Sequence, residues 1–472
     1  MQVGIIMDEQ NKRTHEIPPQ NGQVLPNQLP GYSYFATCAR GVEPLLAQEL
    51  WDLGIKHIEL GLGGVHFYGP LECLYYANLG ARTAIRVLLP LMEFDIRHQD
   101  DLYEAVYHYS WEDHMTADHT LAVDCNLRDS VYSHSQYALL RVKDAICDRF
   151  REKTGRRPSI DREWPMIAIN LHMNRNHVVV SLDTSWESLH KRGYRPIQPR
   201  APLNEALAAA ILLRADYQGQ MPLYDPMCGA ATLPIEAAWI ATNRAPGLTR
   251  KWFAFQGWLH HDIGMFAKVR NELRAKVRNK LEHPVVAADE RGDAMHLGTE
   301  AAKLAGVSNQ IEFRVESLGK GRPPEGPPGW VMCNAPYGVR IGTTEVLRET
   351  YKRLGGLVAG PWKGWSLALF TATPELARET GLAFDQSWSY PNGALRCHLY
   401  LWGPHVPLLD ASQQRQMRQS VQADSPKGQW QKLGQNERHF FDWPIHRPPP
   451  TGKILKDRQR GFLGRDRPRR PG

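Results

Sequence analysis

The 472-residue chain contains no apolar run approaching 18 residues, so no segment is expected to span a membrane. Its first thirty residues are polar and lack the apolar stretch of a signal peptide. The seven cysteines (Cys38, Cys73, Cys125, Cys147, Cys228, Cys333 and Cys397) are scattered and include no C-x-x-C pair. That spacing supports neither a zinc site nor a disulfide framework, and a reducing cytoplasm is the expected compartment. No G-K-S/T follows a glycine-rich turn, which argues against a nucleoside triphosphate loop. Charge of one sign is also scarce. The formal net charge is +7, but residues 452–472 alone carry eight Lys/Arg and two Asp/Glu, leaving 49 basic and 48 acidic residues elsewhere. A basic face on the body must therefore come from local clustering, since net charge does not supply it.

What is present suggests several domains, because the length exceeds what one core usually supports. Residues 1–30 read as a disordered lead-in. Order begins at Tyr32 to Thr37, a strand-like run, followed by helical spacing from Val42 to Leu53. Gly61-Leu62-Gly63-Gly64 lies between two strand-like segments, so it reads as a hairpin turn and not a phosphate loop. A second α+β unit follows, with a helix from Ser135 to Glu152 and strand-like runs at 167–171 and 178–182. Arg141, Lys143, Arg149, Lys153, Arg156 and Arg157 lie along and just beyond that helix. They form either a solvated face or a surface that contacts RNA phosphates.

From Pro202 the pattern alternates between helix and strand. Helices are expected at 203–215, from Thr232 (as cap) to about Asn243, and at 293–305. Strands are expected at 223–225, 285–289, 311–314, 330–333 and 366–370, with a late antiparallel edge at 395–402. Such alternation specifies an α/β fold built on a doubly wound parallel sheet. In that architecture ligands bind beyond the carboxyl ends of the strands, and two motifs fall there. After the first strand comes Asp225-Pro226-Met227-Cys228-Gly229-Ala230-Ala231-Thr232, a small-residue turn that allows close backbone approach to a cofactor. Asp289 ends the second strand, placed to accept bonds from ribose hydroxyls, with Glu290 as the alternative.

The second motif is Asn334-Ala335-Pro336-Tyr337, directly after the apolar run Val331-Met332-Cys333. An amide oxygen and the next main-chain carbonyl can each accept an N–H of a planar amine, and the tyrosine ring can stack on the base that carries it. Acceptors aimed at both hydrogens favour positive charge developing on the nitrogen, so no carboxylate base is required. Together the motifs point to methyl transfer from S-adenosylmethionine to an exocyclic nitrogen. A base within structured RNA would have to be flipped out to reach them.

These motifs resemble the THUMP-containing RNA guanine-N2 methyltransferases, and most of all those acting on bacterial 23S ribosomal RNA, in the N-terminal half of their bifunctional form. The resemblance spans roughly residues 33–402. It includes Thr37 to Gly41, Gly63 to Phe67, Leu189 to Arg195, Asp225 to Gly229, Ile235 to Ala238, Arg244 to Leu248 and Asn334 to Gly338. It implies a ferredoxin-like unit at 31–78, a THUMP RNA-binding domain at 79–192 and a Rossmann-like methyltransferase domain at 193–404. A mostly disordered basic tail at 405–472 stands where the bifunctional form would continue into a second half. The implied activity is guanine-N2 methylation, with S-adenosylmethionine as cofactor and large-subunit ribosomal RNA or its precursor as partner.

Four positions depart from the family pattern. Ala230-Ala231 replaces Ser-Gly, Glu316-Ser317 stands where an adenine-contacting Asp is usual, Asn204 replaces a Lys, and Ala335 replaces the first Pro of Asn-Pro-Pro-Tyr. If Ala231 must adopt φ > 0, it carries about 1–2 kcal/mol of strain or pushes a methyl toward the cofactor. The departures leave open a weakened relative that binds RNA without turnover, and a tRNA guanine substrate fits the same chemistry.

Overall fold

The computed structural model describes residues 31–132, 134–195, 203–337, 344–410 and 412–415. The expected lead-in at 1–30 and the tail beyond 415 lie outside the described residues. Two sheets organise the described residues. The first joins Tyr32–Thr37 (β1), His57–Gly61 (β2), Gly64–Gly69 (β3), Arg86–Asp95 (β4), Thr120–Arg128 (β5), Ser159–Ile160 (β6), Ile167–Asn174 (β7) and His177–Asp183 (β8). Their order is β2-β3-β1-β4-β8-β7-β5-β6. β4 carries the sheet without a break across the expected boundary at 78/79, pairing with β1 on one side and β8 on the other. Its pairing with β1 ends at Leu88, so Pro90 lies where a missing N–H breaks no ladder on that side. The register with β8 shifts between Pro90 and Met92.

Four helices accompany this sheet: Glu43–Asp52 (α1), Leu71–Gly80 (α2), Gln99–His108 (α3) and Ser135–Thr154 (α4). On α4 the residues Ala138, Val142, Ala145, Ile146 and Phe150 recur every three or four positions and are buried together, which is the signature of one core-facing stripe. Gly155, at φ 70°, ends the helix in the left-handed conformation that glycine adopts without strain.

The second sheet contains Leu223–Asp225 (β9), Val285–Asp289 (β10), Ile311–Val315 (β11), Trp330–Asn334 (β12), Ser366–Thr371 (β13), Gln386–Asn392 (β14) and Leu395–Trp402 (β15). The order is β11-β10-β9-β12-β13-β15-β14, parallel through β13 and antiparallel thereafter. The edge therefore differs from expectation. β15 is internal, and the edge is β14, whose Ser, Pro and Asn residues disguise it as a loop.

The helices of this half are Glu205–Arg214 (α5), Thr232–Ala241 (α6), Ile263–Ala275 (α7), Gly292–Ala305 (α8), Thr344–Ala359 (α9) and Pro374–Arg378 (α10). Strand residues alternate between two cores. Leu223, Val285, Ala287 and Met332 join the core shared with α5, α6 and α8, whereas Tyr224, Val286, Ala288, Val331 and Cys333 join the one under α9. Helices on both faces make the sheet doubly wound. No helix among the described residues is long and apolar enough to cross a membrane.

Buried arginines fasten the halves together. Arg250 donates to the carbonyls of Ser185, Glu187, Ser188 and Lys191 at 2.8–3.4 Å, gathering the segment that leaves β8. Burial lowers its guanidinium to about 10. Arg192, 1% exposed, donates to the carbonyls of Leu189 and Arg82 and pairs with Glu236 of α6 at 3.5 Å. Nearby, Asn78, Thr184, Ser185 and the backbone of Val87 form a closed polar cluster with bonds of 2.7–3.0 Å.

The turn into α6 resolves one sequence expectation. Ala231 does adopt the left-handed region (φ 57°, ψ 31°) and occupies the cap position assigned above to Thr232. Its methyl is fully buried and faces Gly298 of α8, where an added Cβ would lie 3.1 Å from it. The absent side chain at 298 thus makes room for the one at 231, and the methyl points into the core.

Two stability predictions arise here. Ala231→Gly should stay within about 1 kcal/mol of wild type, because relief of strain and loss of one buried methyl are of similar size. Gly298→Ala should destabilise by about 1–3 kcal/mol, and Ala231→Gly should recover part of that in the double mutant, giving a measurable coupling in urea denaturation. Separately, Arg250→Ala should lower unfolding free energy by about 3 kcal/mol, since four carbonyls lose a charged donor; an unchanged urea midpoint would refute its clamping role.

Candidate active site

The carboxyl ends of β9, β10, β11 and β12 converge on one side of the parallel sheet. Asp225 closes β9, is buried, and accepts from the Met227 N–H at 3.1 Å. Burial pushes its carboxyl well above the usual range, and nearby Asp289 adds to the effect. Pro226 leads into the turn. The Cys228 N–H bonds to the Ala288 carbonyl at 2.9 Å, and the Cys228 carbonyl accepts from the Ala231 N–H at 2.8 Å. Gly229, at φ 52°, has no heavy atom within 4 Å of where a Cβ would sit, so this side of the turn is open.

Asp289 uses one oxygen for the Gly229 N–H and the other for the Arg291 N–H, both at 3.0 Å. Each carboxylate oxygen retains capacity for a further bond. Glu290 is exposed beside it. Beyond β11, the Glu316 N–H bonds to the Asp289 carbonyl, and its side chain accepts from the Tyr224 hydroxyl at 2.9 Å. Ser317 follows it, partly exposed. Thr232 is already engaged, its hydroxyl accepting from Arg195 at 3.0 Å.

At the end of β12 the Asn334 Oδ1 is buried and has no hydrogen-bond partner among the described residues. Leaving such an acceptor unsatisfied costs about 1–3 kcal/mol, so it demands an explanation. The residues after it are held firmly. The Ala335 N–H bonds to the Phe370 carbonyl at 3.1 Å, and the Pro336 carbonyl accepts from the Tyr351 hydroxyl at 3.2 Å. The Tyr351 oxygen also lies 2.7 Å from the Thr371 hydroxyl. Tyr337 is half-buried, its phenol oxygen meeting Asn392 Nδ2 at 3.4 Å and Cys397 Sγ at 3.8 Å. Burial, with Cys397, raises that phenol to about 12.

Tyr351, Thr371, Asn392 and Cys397 are supports that motif reading missed. The periodic signal of α9 (Leu347, Tyr351, Leu354, Val358) was available for the first. Nothing local marks the others, whose contacts with Tyr351 or Tyr337 join residues 20 to 60 positions apart. Three buried thiols belong to or contact these segments: Cys228 and Cys333, whose burial pushes them well above the ordinary value, and Cys397, also raised by burial.

The basic residues of the first sheet's helix do not form one surface. Arg149 is turned inward, bonding to both oxygens of Glu112 at 2.9 and 3.1 Å and to the Tyr107 carbonyl at 3.1 Å, which gives it a structural role in place of the expected RNA contact. Arg141 pairs with Asp100 at 2.8 Å and lies over the Tyr103 ring. Lys143 pairs with Asp144 at 2.6 Å, and Arg156 with Asp118. Lys153 and Arg157 are exposed and enter no ion pair among the described residues.

Family models match three stretches of the chain. Residues 33–88 match the RlmL ferredoxin-like domain, 97–183 the THUMP domain, and 192–400 the RMKL-like methyltransferase domain. The chain is 44% identical over 376 residues to the ribosomal RNA large subunit methyltransferase K/L of Syntrophotalea carbinolica, covering 78% of this chain and 53% of that protein. It thus spans about half the length of that relative. A putative RNA methyltransferase of Synechocystis is 35% identical over 366 residues, covering 78% of this chain and 95% of the relative. Among solved structures, a putative methyltransferase crystallised with SAH superposes with a TM-score of 0.72 at 27% identity, over 80% of this chain and 99% of the other. With a relative so similar and matched along nearly its whole length, the chain belongs to the THUMP-containing RNA methyltransferases with an RMKL-like methyltransferase domain.

Proposed function

We propose that this protein transfers a methyl group from S-adenosylmethionine to the exocyclic N2 of a guanine in 23S ribosomal RNA, in the cytoplasm. The buried Oδ1 of Asn334 carries the reading: an acceptor without a partner among the described residues, at the end of β12, suits an amine that arrives with the substrate. The names of the large-subunit ribosomal RNA relatives support the choice of RNA, and the SAH-bound neighbour supports the choice of cofactor.

The residues fit that cofactor. The open side of Gly229 leaves room against the backbone, and the methyl of Ala231 is turned toward Gly298 and away from the cleft. Asp225, Pro226, Cys228, Gly229, Ala231 and Thr232 would form the turn under it. Asp289 or Glu290 would take the ribose hydroxyls, and Glu316 and Ser317 would border the base. S-adenosylmethionine, when bound, supplies a methyl on a sulfonium sulfur. Asn334 Oδ1 and the Ala335 carbonyl accept the two N2 hydrogens, opposing delocalisation of the lone pair and meeting positive charge as it builds. Tyr337 offers its ring to the flipped base. Its hydroxyl is tied to the β14–β15 hairpin and Pro336 is tied to α9, so the acceptors are positioned before substrate arrives.

The expected domains, a ferredoxin-like unit at 31–78, a THUMP domain at 79–192 and a methyltransferase domain at 193–404, divide the labour between RNA capture and chemistry. Lys153 and Arg157 are the basic side chains best exposed for phosphate contact, with Arg141, Lys143 and Arg156 reaching RNA only by releasing an acidic neighbour.

Asn334→Ala should lose roughly a hundred-fold or more in turnover while SAM binding measured by calorimetry stays close to wild type. Mass spectrometry of nucleosides from methylated rRNA reads the product. Turnover equal to wild type would remove the proposed role. On the RNA side, Lys153→Ala with Arg157→Ala should weaken binding and flatten its logarithmic salt dependence by about two. Arg149→Ala should instead lower stability; a salt slope that changes as much as in the double variant would reverse that assignment.

A further inference from the structure

Resting on this reading of the site, the geometry points to a second base-binding pocket beside it, which we propose receives an unpaired nucleobase adjacent to the target guanine. The pocket has a volume of about 210 Å³ and is bounded by four separate stretches of the chain. Ala39 and Thr83 come from the first sheet's half, Asn204 and Leu207 from the start of α5, and Pro391 and Asn392 from the end of β14. The same Asn392 donates to the Tyr337 hydroxyl, so a wall of the pocket touches the ring proposed to hold the target.

Position argues for RNA. β15 runs antiparallel to β13, with His398 opposite Thr371, so the β14–β15 turn lies at the carboxyl end of the parallel strands, on the side of Asn334. An RNA strand passing from the first sheet's half to that side meets this pocket at the junction. Size argues for a single planar base: the volume is below the ~300–1,000 Å³ of sites for drug-sized ligands. Chemistry agrees. The Asn204 Oδ1 accepts from the Ala206 and Leu207 N–H groups at 2.9 and 3.2 Å. That fixes the amide and leaves its NH2 as the group available to a base oxygen or ring nitrogen. Leu207 and Pro391 supply apolar walls for the faces of the base. The lining is mainly apolar, with the side-chain amides of Asn204 and Asn392 on its border, a mixture suited to the faces and the edge of a base.

The test uses the full chain and a 23S-derived RNA that the wild type methylates. Ala39→Phe fills the pocket. Asn204→Asp keeps the helix cap while replacing the NH2 by an oxygen. Both should leave SAH affinity and thermal midpoint near wild type. Both should raise KM for the RNA about ten-fold, with kcat changed far less. An RNA carrying an abasic nucleotide next to the target should show a similar rise with the wild type, and little further loss with Ala39→Phe. Should the wild type methylate RNA while both variants match it, and the abasic RNA bind as well as the intact one, the pocket is a packing void and the inference falls alone. A wild type that binds RNA but transfers no methyl to it overturns the proposed function and this inference together.

Discussion

Backbone carbonyls held by buried arginines are the contacts on which the arrangement rests. A guanidinium keeps its charge even when burial opposes it, and its planar set of donors can satisfy several carbonyls at once. Arg250 and Arg192 do this for the segment that leaves the first sheet, whose irregular backbone would otherwise leave buried acceptors unmet. Because Arg192 also pairs with Glu236, the helix after the turn that follows β9 is fastened to the same junction. The orientation of the first sheet's half relative to the carboxyl end of β12 is thus held by hydrogen bonds to the main chain, with the apolar core filling in around them.

The site shows a second kind of dependence, in which a departure at one position is absorbed at another. Ala231 occupies a conformation usually left to glycine, and the space its methyl needs is provided by Gly298 on a different helix. Asp289 links the same turn to the next strand through the Gly229 N–H, so the turn keeps its shape despite the strained residue. The replacement of proline by Ala335 removes no acceptor, and its N–H gains a bond to the Phe370 carbonyl that proline could not make. These local compensations leave the cleft open where the cofactor is proposed to lie.

Much of this was legible in the sequence because period and spacing carry it. The alternation of β9 to β13 with helices, the hairpin at Gly61 to Gly64 and the two strand-end motifs are local patterns, and each appears where its residues indicated. What escaped was of two kinds. β14 was hidden by Ser387, Ser389, Pro391 and Asn392, residues that read as a loop but are tolerated on an edge strand. The pairings of Arg149 with Glu112, Tyr337 with Asn392, and Ala231 with Gly298 join residues 37 to 67 positions apart, and no periodicity reports them. Helix α4 illustrates the boundary. Its buried stripe was readable, whereas which of its basic side chains are free depends on acids contributed by other segments.

The raised thiols of Cys228, Cys333 and Cys397 have a bearing on the protein's own chemical safety. A sulfonium methyl reacts with any good nucleophile, and a thiolate is among the best that a protein carries. Burial keeps Cys228, Cys333 and Cys397 protonated, with Asp225 and Asp289 reinforcing this at Cys228 and Asp225 at Cys333. The sulfur atoms are thereby withheld in their inert form, so that a methyl donor bound at the proposed site would be spared from alkylating its own host.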